Sequence, residues 1–141
     1  DAKISRLIMS GRIQGVWGEK VMLGAIEELP DKEVIIVGLG PIKEFDESRM
    51  QDAGRVMVDT ALRLNRETIC MALPGSGIED LDTVVIAENV LYGLAGQAGD
   101  TAFTPWIMCG SDEMDEALLG FQKTKISLKS RIRVDIIQVK T

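Results

Sequence analysis

Residues 33–40 read Glu33-Val34-Ile35-Ile36-Val37-Gly38-Leu39-Gly40, and residues 67–77 read Glu67-Thr68-Ile69-Cys70-Met71-Ala72-Leu73-Pro74-Gly75-Ser76-Gly77. Each is an apolar run that stops in a glycine-containing loop, the pattern of a strand feeding a turn. Between them the period changes. Met50, Ala53, Met57, Ala61 and Leu64 recur at helical spacing and make one apolar face. Ser48 followed by Gln51 is a capping-box pattern, Asp46 and Glu47 add negative charge at the positive end of the dipole, and Asn65 is placed to end the helix. A second helix carries Val84, Ala87, Leu91, Leu94 and Ala98, with Asp80 or Asp82 available as its cap. Gly93, Gly96 and Gly99 weaken its end, each costing up to about 1 kcal/mol relative to Ala.

Downstream, Thr104–Cys109 reads as a strand, and Met114, Ala117, Leu118 and Phe121 mark a last helix. A closing strand is expected near Arg131–Val139, where Ile132, Val134 and Ile136 alternate with polar residues. Upstream, Ile4, Leu7 and Ile8 indicate a short helix stopped by Ser10-Gly11; Gly15 and Gly18 bracket a turn into a strand near Glu19–Ala25. From Glu33 onward strands alternate with helices. That order predicts an α/β fold, a three-layer α/β/α arrangement with a mainly parallel or mixed sheet, and the closing strand at an edge. The sequence holds no internal repeat or linker, so residues 1–141 are expected to form one domain.

A chain of 141 residues buries enough surface to fold without disulfide or metal. Cys70 and Cys109 each lie in an apolar run and are expected to be reduced, buried and unpaired, which fits a cytoplasmic location. No stretch reaches the ~20 apolar residues of a membrane span, and no signal peptide is evident. The net charge of −6 argues against a general nucleic-acid binder. The charge is uneven: residues 121–141 hold six basic side chains against Asp135 alone. The plain account of that excess is a strand edge protected by Lys and Arg.

Histidine is absent, which removes Ser-His-Asp and Cys-His nucleophile pairs and His-ligated zinc. The acidic clusters Glu79-Asp80-Asp82 and Asp112-Glu113-Asp115-Glu116 fall at expected helix starts, where carboxylates answer the dipole; neither is taken as a metal site. Trp17, Phe103 and Trp106 are expected in the core or an interface. Three loops follow strands and precede helices, at Gly38-Leu39-Gly40-Pro41, Pro74-Gly75-Ser76-Gly77 and Gly110-Ser111. In an open parallel sheet such loops share the edge where ligands bind, and glycine lets backbone N–H groups approach an anion. The first is not a dinucleotide fingerprint, because Pro41 lacks an N–H and no third glycine follows at the required spacing. Glycine is also the ordinary way out of a strand.

Ile4–Met9, then Gly15-x-x-Gly18-Glu19, then Val34-Ile35-Ile36-Val37-Gly38-Leu39-Gly40 resemble the N-terminal domain of the leucyl (cytosol) aminopeptidase family. Phe45-Asp46 and Ala53-Gly54-Arg55 continue the likeness in order, over about residues 4–100. The resemblance implies an α/β/α domain similar in topology to macro domains. In that family catalysis belongs to a separate C-terminal domain with two metal ions and the run Asn-Thr-Asp-Ala-Glu-Gly-Arg. No such run occurs here, so peptidase activity is carried over to no residue. Family N-terminal domains assist assembly and in some members bind DNA, a role the acidic balance does not favour.

The expectation is therefore a non-catalytic domain acting through binding or self-association, without a cofactor. Its expected partners are a second copy or a separate aminopeptidase catalytic subunit. The alternative is a small-ligand domain of macro type, binding a nucleotide or ADP-ribose-like phosphate at Gly38, Leu39, Gly40, Gly75, Ser76 and Gly77. An enzyme acting on such a ligand ranks last, for no acid/base pair can be named.

Overall fold

The structure is a computed structural model, and it describes residues 2–24, 26, 32–129 and 134–139. The chain divides into two compact units, Asp1–Phe45 and Asp46–Thr141.

In the first unit, helix α1 (Ala2–Met9) is followed by strands β1 (Lys20–Leu23) and β2 (Val34–Val37). Ser10-Gly11 does end α1: Arg12 N–H bonds the Leu7 carbonyl at 2.9 Å and Gly11 N–H that of Ile8 at 3.0 Å, with Gly11 at φ 77°. This is a Schellman closure, and it needs the left-handed residue that glycine supplies. β1 and β2 pair antiparallel, Lys20 opposite Val37 and Leu23 opposite Val34. Ala25 lies outside the described residues.

The second unit runs α2 (Glu47–Arg63), β3 (Thr68–Ala72), α3 (Thr83–Ala98), β4 (Thr104–Met108) and α4 (Met114–Leu128). β3 and β4 are parallel and in register, with Cys70 opposite Trp106. Ile69 is half-buried and Met71 and Leu73 are buried, whereas Thr68, Cys70 and Ala72 face out. The cap of α2 is Asp46, whose carboxylate accepts the Arg49 N–H at 2.9 Å, and Ser48 lies inside the helix. Asp46 wins because it stands at the extended residue just before the first turn, where a side-chain oxygen reaches a free N–H. Asn65, at φ 56°, closes α2 as expected, with Arg66 N–H on the Ala61 carbonyl at 2.9 Å. Asp82 caps α3 through the N–H groups of Val84 and Val85.

Helix α3 packs against both α2 and α4. Ile86, Ala87 and Val90 are fully buried, and Gly93 with them. Gly93 is less a weakness than a contact point: a Cβ there would strike the carbonyl oxygen of Gln51, and one at Gly54 the carbonyl oxygen of Val90. Gly120 of α4 likewise lies against the Val84 carbonyl. Packing at main-chain distance rewards the missing side chain more than helix propensity penalises it. Asn89 is tied in by Gln51 Nε2 at 2.8 Å and by its own bond to the Val85 carbonyl.

Two expectations are corrected. Helix α4 continues to Leu128, so Lys123 and Lys125 sit on a helix, not a strand edge, and Lys125 lies in the last turn where a cation suits the dipole. Residues 134–139 carry no strand, and Arg131–Arg133 lie outside the described residues. Alternation creates a face, but a strand also requires a ladder partner. None of the described helices is long and apolar enough to cross a membrane.

Candidate functional site

In the first unit, Gly38-Leu39-Gly40 follows β2 and is stitched to the turn Gly15–Glu19. Gly38 N–H donates to the Glu19 carbonyl at 2.8 Å, Gly38 carbonyl accepts from Gly18 N–H at 3.0 Å, and Gly40 N–H donates to the Gly15 carbonyl at 2.9 Å. The Glu19 carboxylate braces the same turn, accepting Gly15 N–H at 2.6 Å and Gln14 N–H at 3.0 and 3.1 Å. A Cβ at Gly38 would overlap the Val16 carbonyl oxygen. The N–H groups of Gly38 and Gly40, two candidate anion donors, are therefore committed to backbone carbonyls.

The second-unit loop is built differently. Pro74–Gly77 turns out of β3 with Gly75 at φ 80° and Gly77 at φ 82°, conformations that L side chains avoid. Ser76 N–H bonds the Leu73 carbonyl at 3.0 Å and Ile78 N–H the Gly75 carbonyl at 3.2 Å, leaving the Ser76 hydroxyl and Gly77 N–H directed elsewhere. Both meet the carboxylate of Glu113. The Ser76 hydroxyl donates to Oε2, Gly77 N–H to Oε1 at 3.0 Å, and the Thr83 hydroxyl, from the first residue of α3, to Oε1 at 3.2 Å. Glu113 ends the 3-10 turn Ser111–Glu113 that follows β4, and its own N–H is bonded to the Gly110 carbonyl at 3.0 Å. The Ser76 hydroxyl bond first, then the Gly77 N–H, hold its carboxyl below the usual carboxylate range.

So the structure gathers Gly77, Ser76 and Thr83 around one oxyanion, and the oxyanion is a side chain of the protein. Of the candidate site residues, Gly75, Ser76 and Gly77 belong to this cluster, while Gly38, Leu39 and Gly40 belong to the other unit. Sequence reasoning passed over Glu113 and Thr83 as functional residues. Glu113 stands among helix-start acids, and no local pattern connects it to a loop 36 residues away. Among the described residues no group of three or more His, Cys, Asp or Glu side chains is placed to hold a metal ion.

A second feature is the outer face of the β3–β4 pair. Thr68, Cys70 and Ala72 line up beside Thr104, Trp106 and Met108, all exposed, with Trp106 53% and Met108 56% accessible. Trp106 is thus not a core residue, while Trp17 and Phe103 are half-buried. The expectation that both cysteines are buried also fails: Cys70 is exposed and Cys109 half-buried, and both are free thiols. Along β3 and the residue after it, the large side chains (Ile69, Met71 and then Leu73) alternate with small ones, and the small row faces out. Burial, then the negative charges of Glu113 and Asp112, push the Cys109 thiol above its ordinary pKa.

Comparison with known proteins gives two kinds of match. The family model for the cytosol aminopeptidase family, N-terminal domain, matches residues 1–97. A probable cytosol aminopeptidase of Thermosynechococcus vestitus is 30% identical over 92 residues, covering 64% of this chain but only 18% of that protein. The chain thus spans less than a fifth of that relative's length. By structure, a mutant form of the Oceanobacillus iheyensis macrodomain matches at TM-score 0.64 and 14% identity, covering 93% of this chain and 70% of the other. The same macrodomain described with ADP matches at TM-score 0.64 and 14% identity, over 92% of this chain and 68% of the other. Likeness at that identity shows a shared macrodomain-like α/β fold.

Proposed function

Given that the chain belongs to the cytosol aminopeptidase family through that family's N-terminal domain, we propose that it works by binding rather than catalysis. Its ligand is a phosphate-bearing small molecule of nucleotide type, and the β3–α3 loop Gly75-Ser76-Gly77 receives it. The observation that carries this reading is the Glu113 carboxylate, seated on the Ser76 hydroxyl, Gly77 N–H and Thr83 hydroxyl. A loop that positions a backbone N–H and two hydroxyls around one oxyanion has the donor geometry a phosphoryl oxygen requires. The fold supports the same reading, since a structural neighbour is described with ADP. Gly38, Leu39 and Gly40 belong to the other unit, where both glycine N–H groups are bonded to backbone carbonyls, and they take no part in this proposal.

The test is titration with inorganic phosphate, ADP and ADP-ribose, followed by the amide resonances of Gly75–Gly77 and by thermal melting. A ligand at 100 times its Kd stabilises by about 2.7 kcal/mol. Unmoved amides and an unchanged melting temperature with all three compounds would sink the proposal. The same protein is expected to show no metal-dependent hydrolysis of leucine amide, because among the described residues no ligand set fixes a metal and its water. Turnover that persists through rigorous purification would contradict this.

A second reading, self-association, rests on the β3–β4 outer face. Thr68, Cys70, Ala72, Thr104, Trp106 and Met108 include no charged side chain, so two copies of a chain carrying −6 can meet there without placing like charges together. Sedimentation of the wild type against Trp106→Glu checks it: a dimer lost in the variant supports the reading, and a monomer in both refutes it. A cytoplasmic location is part of the same proposal, supported by the two free thiols and by the cytosol aminopeptidase relative.

A further inference from the structure

The Glu113 contact has a second meaning for the proposed site. A carboxylate that accepts the Ser76 hydroxyl, the Gly77 N–H and the Thr83 hydroxyl is a competitor for those donors. Ser76 Oγ, Gly77 N and Thr83 Oγ1 come from β3–α3 and the first residue of α3, whereas Glu113 arrives from the separate segment after β4. No salt bridge joins Glu113 to a cation among the described residues, so its negative charge is answered only by these hydrogen bonds and the Gly110–Glu113 turn.

We infer that Glu113 is a built-in occupant of the Gly75–Gly77 loop, and that a phosphoryl group binds there only by displacing the Glu113 carboxylate, uncoupling the Ser111–Glu113 turn from the β3–α3 loop. This rests on the loop being an oxyanion site, and it specifies how that site is regulated. Two negative groups cannot share one Gly77 N–H, and a second anion beside an undisplaced carboxylate meets like-charge repulsion at hydrogen-bond range. The resting state is therefore the closed one. Its affinity for ligand is reduced by the fraction of time the carboxylate is seated.

The prediction separates this occupant from a mere latch. Glu113→Ala removes the carboxylate and leaves all three donors in place; Glu113→Gln keeps the size and removes the charge. Inorganic phosphate and ADP are titrated into wild type and both variants by calorimetry, with the Gly77 and Glu113 amides followed by NMR. The expected result is affinity for both probes raised at least about tenfold in Glu113→Ala and by less in Glu113→Gln. In the wild type, the Glu113 amide should shift together with that of Gly77 as ligand enters. If the folded variants bind the probes no more tightly than wild type while the Gly77 amide still shifts, the loop is a site but Glu113 is not its competitor, and the inference is overturned. If no probe moves the Gly77 amide in any of the three proteins, the oxyanion site itself fails and the inference with it. Should Glu113→Ala not fold, Glu113→Gln carries the same comparison.

Discussion

Two loops of near-identical glycine content leave β2 and β3 and have opposite bonding. Gly38 and Gly40 give their N–H groups to the carbonyls of Glu19 and Gly15, partners fixed by the chain itself. Gly77 gives its N–H to a side chain, and Ser76 and Thr83 do the same with their hydroxyls. A main-chain partner leaves only when the fold opens, whereas a side-chain partner leaves by rotating about its own bonds. The glycines of the first loop are therefore structural, and those of the second hold the proposed site, whose present partner is a side chain.

That contrast can be broken most directly by adding a methyl group to each loop. Gly38→Ala puts a Cβ into the Val16 carbonyl oxygen, and the neighbouring atoms are backbone, so a loss of about 3 kcal/mol is expected from the midpoint of urea unfolding. Gly77→Ala meets nothing within 4 Å and is opposed only by its φ of 82°, so its cost is about 1 kcal/mol. Equal losses would erase the distinction. Gly77→Val, in a folded protein, should weaken phosphate or ADP binding by obstructing the approach to the N–H. Affinity that survives the change would place the ligand elsewhere.

A smaller effect sharpens the second loop alone. The Glu113 carboxyl titrates below the usual carboxylate range because its ionised form is hydrogen-bonded. The contact thus contributes stability above the unfolded-state pKa and loses it as pH falls through the lower folded value. Wild type should melt above Glu113→Gln near neutrality, and the gap should close on acidification through that window. A gap independent of pH would show that charge plays no part.

The smallest expected difference is between the thiols. Cys70, exposed on the outer sheet face, should react with a disulfide reagent severalfold faster at mildly alkaline pH than Cys109, whose thiol is half-buried and held protonated by burial and two nearby carboxylates. The reverse order, read by mass spectrometry, would contradict the placement of β3.

Element order was legible in the sequence because each strand and helix of the second unit announces itself by its own period. The end of α1 at Ser10-Gly11 and the stop at Asn65 were legible too, since left-handed residues have a local cause. What period does not carry is partnership. The Arg131–Val139 alternation has a strand's face, yet 134–139 lie outside any ladder. Cys70 sits in an apolar run whose orientation depends on which row of side chains the helices cover. Ser48-x-x-Gln51 satisfied a capping rule two residues too late, because Asp46 met the same need first. At the proposed site, the glycine positions single out Gly75–Gly77 as a loop, but the pairing with Glu113 spans a helix and a strand and left no local trace.

The glycine contacts that seat α3 between its neighbours bear on how this protein can be repaired by second mutations. When a new side chain strikes another side chain, trimming the neighbour restores the fit. A substitution at Gly54, Gly93 or Gly120 strikes a carbonyl oxygen, which no codon can shorten. A suppressor of Gly93→Ala must therefore move a whole helix, or add stability at a distance. Compensating changes near Gln51 or Val90 should be rare in any selection, and those recovered should cluster where helices end and loops can yield.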